Sequence, residues 1–495
     1  MRKRYLFAEV ANFLLYDFYV PEGYVNEDVY AYSNAYENER ALVLYHNKYA
    51  ETRGWIRVSI PFPVKTGESD GRAFIQKSLG EGLGLINDPN AYVIYMDQIT
   101  GLEYLRNCQE LFNAGLYMEL KAYEHHVLLN FRVVMEDEER QYARLAEYLQ
   151  GGGVPNIQET LQELHLRALL TPYRELVNSG WYEWVIGKRL HVEISETQDE
   201  PEQKSLKAEP STSDAQPEQL QPFREELIAI EPVLEEGEIK ALNVYNEVYA
   251  QVEGDGDPEQ TARQTRQDLT LALTLPAFID WFGTLSETDG LATGLAAAID
   301  YLQAGPGGKQ PLQSGDPIVW GTLLSWVANH RLSQAAFEED SPEQARSWMT
   351  EWLLGKINVR ALAGLGIDEG KATWQVELVK LLVGFQDWYQ TEPGEELSSY
   401  MVLQSWLKDS AAQRYININR YQGILWFNKE SFNELLWWMF TVAVLKIGGG
   451  LLSESEDPVQ VAKAIQDVFE LIKELQSAEK QSDFQVEKLL AAAKQ

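Results

Sequence analysis

Through most of the first 135 residues the apolar positions recur every second residue, the period of a strand with one buried face. Asp28–Asn34 and Arg40–Asn47 are extended runs rich in Tyr and Val, parted by the polar stretch Ala35–Glu39, and they predict a hairpin. In Trp55–Ile60 the residues Ile56, Val58 and Ile60 fall on one face and Arg57 and Ser59 on the other, with Pro61 and Pro63 ending or edging the strand. Residues 65–91 carry Gly, Asn and Asp and read as a long loop with room for one helical turn. Tyr92–Asp97 and Leu102–Asn107 predict a second hairpin around Gly101. Leu116–Val134 reads as one or two strands, with Val127, Leu129, Phe131 and Val133 on a common face. Short strands separated by turns predict an antiparallel β-sandwich over residues 23–135. Ahead of it lies an N-terminal segment, 1–22. There Leu6, Val10, Phe13 and Leu14 have helical spacing, so Tyr5–Phe18 reads as a helix stopped by Pro21-Glu22-Gly23.

The period then changes. Asp137–Gln150, stopped by Gly151–Gly153, is followed by Asn156–Leu170 and Tyr173–Ile186, which together predict a helical extension over 136–192. Residues 193–222 hold Pro201, Pro210, Pro217 and Pro222 among Glu, Gln, Ser and Asp, and almost nothing apolar. Such a stretch cannot bury enough surface to offset its ordering entropy, so an acidic, disordered linker is expected. Residues 223–495 read as helical throughout. Ser341-Pro342-Glu343-Gln344 and Asp457-Pro458-Val459-Gln460 have the form of helix starts, and Leu378, Leu381, Leu382, Phe385 and Trp388 make one apolar face. About ten helices are expected there, with no fixed-period repeat. The fold class is thus α+β and multi-domain: an antiparallel β-sandwich followed by a large all-α domain.

Composition narrows the partners. With 45% hydrophobic residues, 14 Trp and 25 Tyr in 495 residues, there is material for more than one core. A formal net charge of −33 repels nucleic acid and anionic lipid, so neither is an expected partner. Leu435–Leu445, the longest strongly apolar run, is too short to span a bilayer. The one cysteine, Cys108, rules out a disulfide framework and any multi-cysteine metal site. The basic start Met1-Arg2-Lys3-Arg4 leads into Glu9 and Asp17 without a small-residue cleavage site, so no export signal is read and a cytoplasmic location is expected.

Asp28-Val-Tyr-Ala-Tyr-Ser33, a short turn, and Glu39-Arg-Ala-Leu-Val-Leu-Tyr-His-Asn47 resemble the opening hairpin of the sandwich that follows the catalytic barrel in the α-amylase family, glycoside hydrolase family 13. Gly115–Leu129 is similar to that sandwich's closing strand. Tyr49–Ile56 and Gly152–Pro155 look like a bacterial subgroup with a long helical tail. The resemblance covers roughly residues 5–190, and it would make Phe7–Phe18 the last helical piece leading out of a barrel. Enzymes of that family need an Asp nucleophile and a Glu acid/base at the ends of barrel strands. Residues 1–22 are far short of the roughly 250 that a (β/α)8 barrel takes. The resemblance therefore implies no catalytic residue here, and a catalytic barrel encoded upstream or on a separate chain as partner.

Other motifs point to structure. Adjacent residues on a strand face opposite ways, so His125 and His126, beside Glu124, are expected to be structural and not joint metal ligands. Gly80-Glu81-Gly82-Leu83-Gly84 lacks the spacing of a dinucleotide fingerprint and reads as a flexible turn. Gly307-Gly308-Lys309 and Gly370-Lys371 lack the hydroxyl residue of a phosphate loop, and Cys108 reads as a buried or incidental thiol. No metal ligand set and no cofactor are expected. Aromatic rings offer the remaining chemistry, because sugars stack C–H faces on them. Tyr92, Tyr95 and Tyr104 on the second hairpin, with Trp181 and Trp184 before the linker, are candidate α-glucan contacts, set against the alternative that they fill a core or a barrel-facing surface. Trp320, Trp326, Trp348, Trp352, Trp437 and Trp438 are expected in a helical core. The leading expectation is a non-catalytic C-terminal accessory region of an α-amylase-type enzyme, stabilising the barrel and contacting α-glucan. A helical protein-interaction scaffold without a carbohydrate role is the alternative, and an independent enzyme with a site in the helical domain a third.

Overall fold

The computed structural model describes residues 3–8, 10–65, 72–189, 221–285, 292–306, 308–390, 397–452 and 458–494. The chain divides into a β unit, Met1–Leu166, and a helical unit, Arg167–Gln495. It is an α+β multi-domain protein.

The β unit is built on one eight-stranded antiparallel sheet. Its strands are β1 (Leu14–Tyr19), β2 (Val29–Tyr36), β3 (Glu39–His46), β4 (Thr52–Ser59), β7 (Ala91–Asp97), β8 (Glu103–Asn107), β9 (Leu116–Leu120) and β10 (His125–Met135). A two-stranded hairpin, β5 (Phe62–Lys65) and β6 (Arg72–Ile75), forms its own ladder, with Phe62 packed against the core of the large sheet. The spatial order is β8-β7-β10-β3-β2-β1-β4-β9. Eight flat strands would hold the edges roughly 34 Å apart. Yet the edge strands β8 and β9 are joined by residues 108–115 alone, mostly the helix α2 (Cys108–Asn113), whose reach is about 20 Å. The sheet must curl. The facing layers of the expected sandwich are therefore parts of one continuous sheet.

Inside the curl pack Leu14, Tyr16 and Phe18 of β1, Leu42 and Leu44 of β3, Val93 and Tyr95 of β7, and Leu116 and Leu120 of β9. The short helix α1 (Leu79–Gly82) adds Leu79, and α2 adds Cys108 and Leu111. Outside the curl, α3 (Gln141–Leu149) and α4 (Ile157–His165) cover β7 and β8 through Tyr142, Leu145, Ile157 and Leu161. A 3-10 turn, Arg4–Phe7, puts Leu6 against Ala41 and Leu129. Among the described residues, Tyr30, Tyr45 and Tyr117 on the rest of the outer face are exposed.

Four readings change. Tyr5–Phe18 is not a helix, because the helical turn stops at Phe7 and Leu14–Tyr19 is an inner strand of the sheet. Leu14, which shares the helical spacing of Leu6, Val10 and Phe13, also opens a period of two with Tyr16, Phe18 and Val20, and two neighbouring strands supply the ladders that settle it as a strand. Residues 65–91 hold the one helical turn expected there, α1 (Leu79–Gly82), but also a strand, β6, that pairs with β5. The glycine-rich 80–84 stretch is no flexible turn at its start, since Ser78 and Glu81 close a capping box on α1. In β4 a bulge opposite Tyr16–Phe18 inserts one residue, so Ser59 and not Val58 is buried beyond Ile56. Gly54 is required here, because a Cβ on it would lie 2.3 Å from the Tyr19 carbonyl oxygen.

The helical unit runs α5 (Arg167–Leu176), α6 (Ser179–Ile186), α7 (Gln221–Val252), α8 (Pro258–Leu285), α9 (Ala292–Ala304), α10 (Pro311–Ser314), α11 (Pro317–Asn329), α12 (Leu332–Ala336), α13 (Pro342–Glu351), α14 (Leu354–Gly364), α15 (Glu369–Gly384), α16 (Ser399–Lys408), α17 (Ser410–Tyr415), α18 (Lys429–Leu452), α19 (Pro458–Gln481) and α20 (Val486–Ala492). A hairpin, β11 (Asn419–Tyr421) and β12 (Ile424–Trp426), interrupts it. More helices form than expected, because tight caps split continuous apolar stretches. Asp409, for example, both ends α16 and caps α17. The stretch 136–192 is also split between the units, α3 and α4 in the first and α5 and α6 in the second. Most of the expected linker lies outside the described residues, while Gln221 and Pro222 already belong to α7. Among the described residues no helix is long and apolar enough to cross a membrane.

α11 is buried on every side from Val319 to Asn329. Its polar residues form one stripe, each with a partner on a different helix. Thr322 Oγ1 donates to Gln375 Oε1 at 2.9 Å, Ser325 Oγ lies 3.3 Å from Tyr182 Oη, and Tyr173 Oη donates to Asn329 Oδ1 at 2.7 Å. Asn358 Nδ2 closes the network on Tyr173 Oη at 2.6 Å. Buried polar groups are tolerable when so paired, and the pairs set the helix register.

Candidate functional site

Two of the five aromatic candidates lie inside the curled sheet. Tyr95 is 3% exposed and stacks with Tyr104 and Phe131, ring centroids 5.6 Å and 5.3 Å away. Tyr92, 8% exposed, points the other way but is covered by Tyr142 of α3. In the helical unit Trp181 is buried beside Lys240 and Gly237, and Trp184 alone stays open to solvent, at 38%. These residues do not make an exposed row. The physical reason is that β7 is sandwiched between the core and α3–α4, so both its faces are buried. Its continuous apolar run, Ala-Tyr-Val-Ile-Tyr-Met, has the pattern of a strand covered on both sides.

An exposed aromatic belt exists elsewhere, on the outer face of the same sheet. Tyr45 pairs with His125 on one side and Tyr30 on the other, and Trp55 pairs with Tyr19 on one side and Tyr117 on the other. Directly paired residues share a face. Because Leu14, Tyr16 and Phe18 point inward, Asp17 and Tyr19 of β1 point out and bridge the two groups. Tyr30, Tyr45 and Tyr117 are 52%, 37% and 39% exposed, and Trp55 and Tyr19 are half-buried. The belt crosses β10, β3, β2, β1, β4 and β9, roughly 24 Å along the sheet.

Its rings are held by polar neighbours. Tyr45 Oη donates to Asn47 Oδ1 at 3.1 Å, Tyr19 Oη to Asp17 Oδ2 at 3.4 Å, and Tyr117 Oη to Glu119 Oε1 at 2.9 Å. The bond to Glu119 raises the Tyr117 phenol above its ordinary range, and partial burial followed by the Asp17 charge does the same for Tyr19. Both remain protonated donors at neutral pH. Arg57 lies 5.0 Å over the Trp55 ring, and Trp55 and Tyr117 meet at 5.0 Å with planes tilted by 57°. Charges alternate in sign around the rings: Arg53 pairs with Glu119 across β4 and β9, and Lys48 bridges Asp28 at 2.7 Å.

The sequence does carry a signal for the belt. Trp55 sits between Arg53 and Arg57, Tyr117 two residues from Glu119, and Tyr19 two from Asp17. Aromatic residues in phase with the charged positions of an alternating strand belong to the wet face.

The titratable clusters serve the fold. His126 Nδ1 lies 2.8 Å from Asp97 Oδ2, and Asp97 also accepts from the Ile99 N–H and the Thr100 hydroxyl, tying the β7–β8 turn to β10. Although burial opposes it, these bonds hold the Asp97 carboxyl below its usual range. His125 faces solvent and His126 the interior, the alternation a strand imposes. In the helical unit Asp268 receives the Arg331 guanidinium, and His330 Nε2 lies 3.0 Å from it without an aligned hydrogen bond. Burial alone would raise Asp268, but the His330 and Arg331 charges hold it well below the carboxylate range, while burial pushes His330 down. Cys108 is a buried free thiol that burial pushes up to about 11. Among the described residues no group of three or more His, Cys, Asp or Glu side chains converges as a metal site. An open groove of about 520 Å³ is lined by Phe385, Met401, Gln404, Ser405, Lys408 and Asp409 and contains none of the sequence candidates.

Comparison with known protein families, with characterised proteins and with solved structures returned no match for this chain.

Proposed function

We propose that this chain is the non-catalytic accessory region of an α-amylase-type glycoside hydrolase, working in the cytoplasm, where its β unit packs against a catalytic (β/α)8 barrel and contacts α-glucan. The observation that carries the reading is the exposed outer surface of the sheet, which offers two kinds of contact. At one end Tyr5, Phe7, Val10, Phe13, Leu15 and Tyr36 are all exposed around the 3-10 turn, an apolar surface of the kind a partner domain covers. At the other end lies the belt of rings with polar edges. The hairpin of the family resemblance supplies part of both, since β2 and β3 pair along their full length from Val29–His46 to Tyr36–Glu39. The deeply buried carboxylates Asp97 and Asp268 are engaged in holding elements together, which leaves them no role with a substrate.

Native electrophoresis through glycogen-containing gels tests the reading, paired with a reducing-sugar assay on soluble starch. Retardation without sugar release is the expected result. Release by the purified chain would overturn the non-catalytic assignment, and unchanged mobility would favour a helical interaction scaffold.

A further inference from the structure

We propose that the belt formed by Tyr45, Tyr30, Tyr19, Trp55 and Tyr117 is the binding surface, and that its ligand is an uncharged chain of several linked pyranose sugars lying across the strands. This rests on the carbohydrate reading above and locates it on a face the sequence candidates do not touch.

Three observations select the ligand. Every phenol hydroxyl whose partner is described is tied to a carboxylate or amide at the ring edge, so those rings are held at the rim, while Tyr30, Tyr45 and Tyr117 keep 52%, 37% and 39% of their surface open to solvent. A sugar ring needs that combination: a flat face for its C–H groups and donors and acceptors around the rim for its hydroxyls. The charges within the belt are equal in number, the cations Arg53, Arg57 and Lys48 standing with the acids Glu119, Asp17 and Asp28: Arg53 faces Glu119 across the strands, Lys48 is bound to Asp28, and Arg57 lies on Trp55. A molecule of net charge −33 that sought a cationic partner would present unpaired acids here, and one built for an anionic ligand would present free cations. Neutral charge complementarity therefore matches a neutral ligand. Lastly, the ring pairs Tyr30–Tyr45 and Trp55–Tyr117 lie on either side of β1, roughly 10 Å apart in strand spacings. One sugar cannot reach both pairs, whereas a chain of them crosses both.

Binding is measured by electrophoresis of the full chain in gels containing glycogen, a mixed-linkage β-glucan, or no polysaccharide. The proteins are the wild type, Trp55→Ala, Tyr117→Ala, Trp55→Phe and, as a control on the exposed hairpin of the helical unit, Tyr421→Ala. Thermal melts and circular dichroism confirm that each variant is folded. The expected result is polysaccharide-dependent retardation of the wild type and Tyr421→Ala, about tenfold weaker apparent affinity for both alanine variants, and an intermediate value for Trp55→Phe, which keeps a ring. A long maltooligosaccharide should release the wild type at concentrations where glucose does not. Wild-type retardation that survives in folded Trp55→Ala and Tyr117→Ala sinks the belt and leaves the accessory-region reading standing. Retardation by the β-glucan alone supports the belt and removes α-glucan from that reading. If neither polysaccharide retards the wild type, both fall.

Discussion

The two units divide the aromatic residues unequally. Sixteen of the 25 tyrosines but a single one of the 14 tryptophans lie in the β unit, and the helical unit holds the other nine and thirteen. The difference follows from what each architecture must fill. Crossing helices leave wide gaps that large rings close, and Trp320, Trp326, Trp406, Trp437 and Trp438 are all fully buried there. A curled sheet has a narrower interior, and its wet outer face favours a β-forming residue that tolerates water at one end, which is tyrosine. Exposure, and not aromatic content, therefore marks the surface open to a ligand.

The largest effect should come from emptying the helical core. Trp320→Ala is expected to cost about 4 kcal/mol of unfolding free energy, through lost burial, an unrelaxed cavity and the loss of its indole bond to the Leu312 carbonyl. Urea titration followed by tryptophan fluorescence reads this unit almost alone, because Trp55 is the sole indole outside it. A loss below about 1 kcal/mol would break the contrast.

Asp268→Ala should follow, at about 3 kcal/mol, because it strands the largely buried Arg331 guanidinium. The same cluster separates the units by pH. His330 is held below its ordinary value, so the unfolded chain binds that proton first. Its contribution is complete above about pH 6.5 and is lost as pH falls toward the folded value. Asp268 and, in the β unit, Asp97 are depressed carboxyls, whose contributions are present above about pH 4 and decline below it. The fluorescence-detected urea midpoint should therefore begin to drop near pH 6.5, and His330→Gln should flatten the curve between there and pH 4. A midpoint constant down to pH 4 in the wild type would rule out the neutral buried imidazole.

How far the chain could be read from its sequence follows the same divide. Extended runs bounded by turn residues located β2, β3, β7, β8 and β10, and caps such as Ser341 marked helix starts, because those signals are local. The common face expected in β10 is split by a bulge, with Val127 and Leu129 on the outer side and Phe131 on the inner core. Leu14 fits two periods at once, and the choice between them is made by β2 and β4, which lie later in the chain. The burial of Tyr92 and Tyr95 escapes the sequence for a related reason. Covering of β7 by α3 and α4 is a tertiary event, while the outward phase of Trp55 and Tyr117 is written in the strand pattern itself.

A matched pair of hydroxyl deletions sharpens the comparison. Tyr173→Phe leaves two buried amides, Asn329 and Asn358, short of a partner and should cost about 2 kcal/mol. Tyr16→Phe removes one bond, to Ser33 Oγ at 2.7 Å, and should cost about 1 kcal/mol. Equal losses would mean that the stripe on α11 is no more demanding than an isolated pair.

The smallest change in stability should come from the belt. Tyr30→Ser removes an outward ring from a cross-strand pair with Tyr45 and leaves the core side chains Val29 and Ala31 untouched. The expected loss is about 0.5 kcal/mol, the scale of one such pair on a wet face. Read by thermal melting of residues 1–495 against the wild type, a shift of that size would place the ring outside the folding core, where its retention needs a reason other than stability. A loss above about 2 kcal/mol would instead make Tyr30 part of the packed sheet, and the contrast between displayed tyrosines and buried tryptophans would no longer hold.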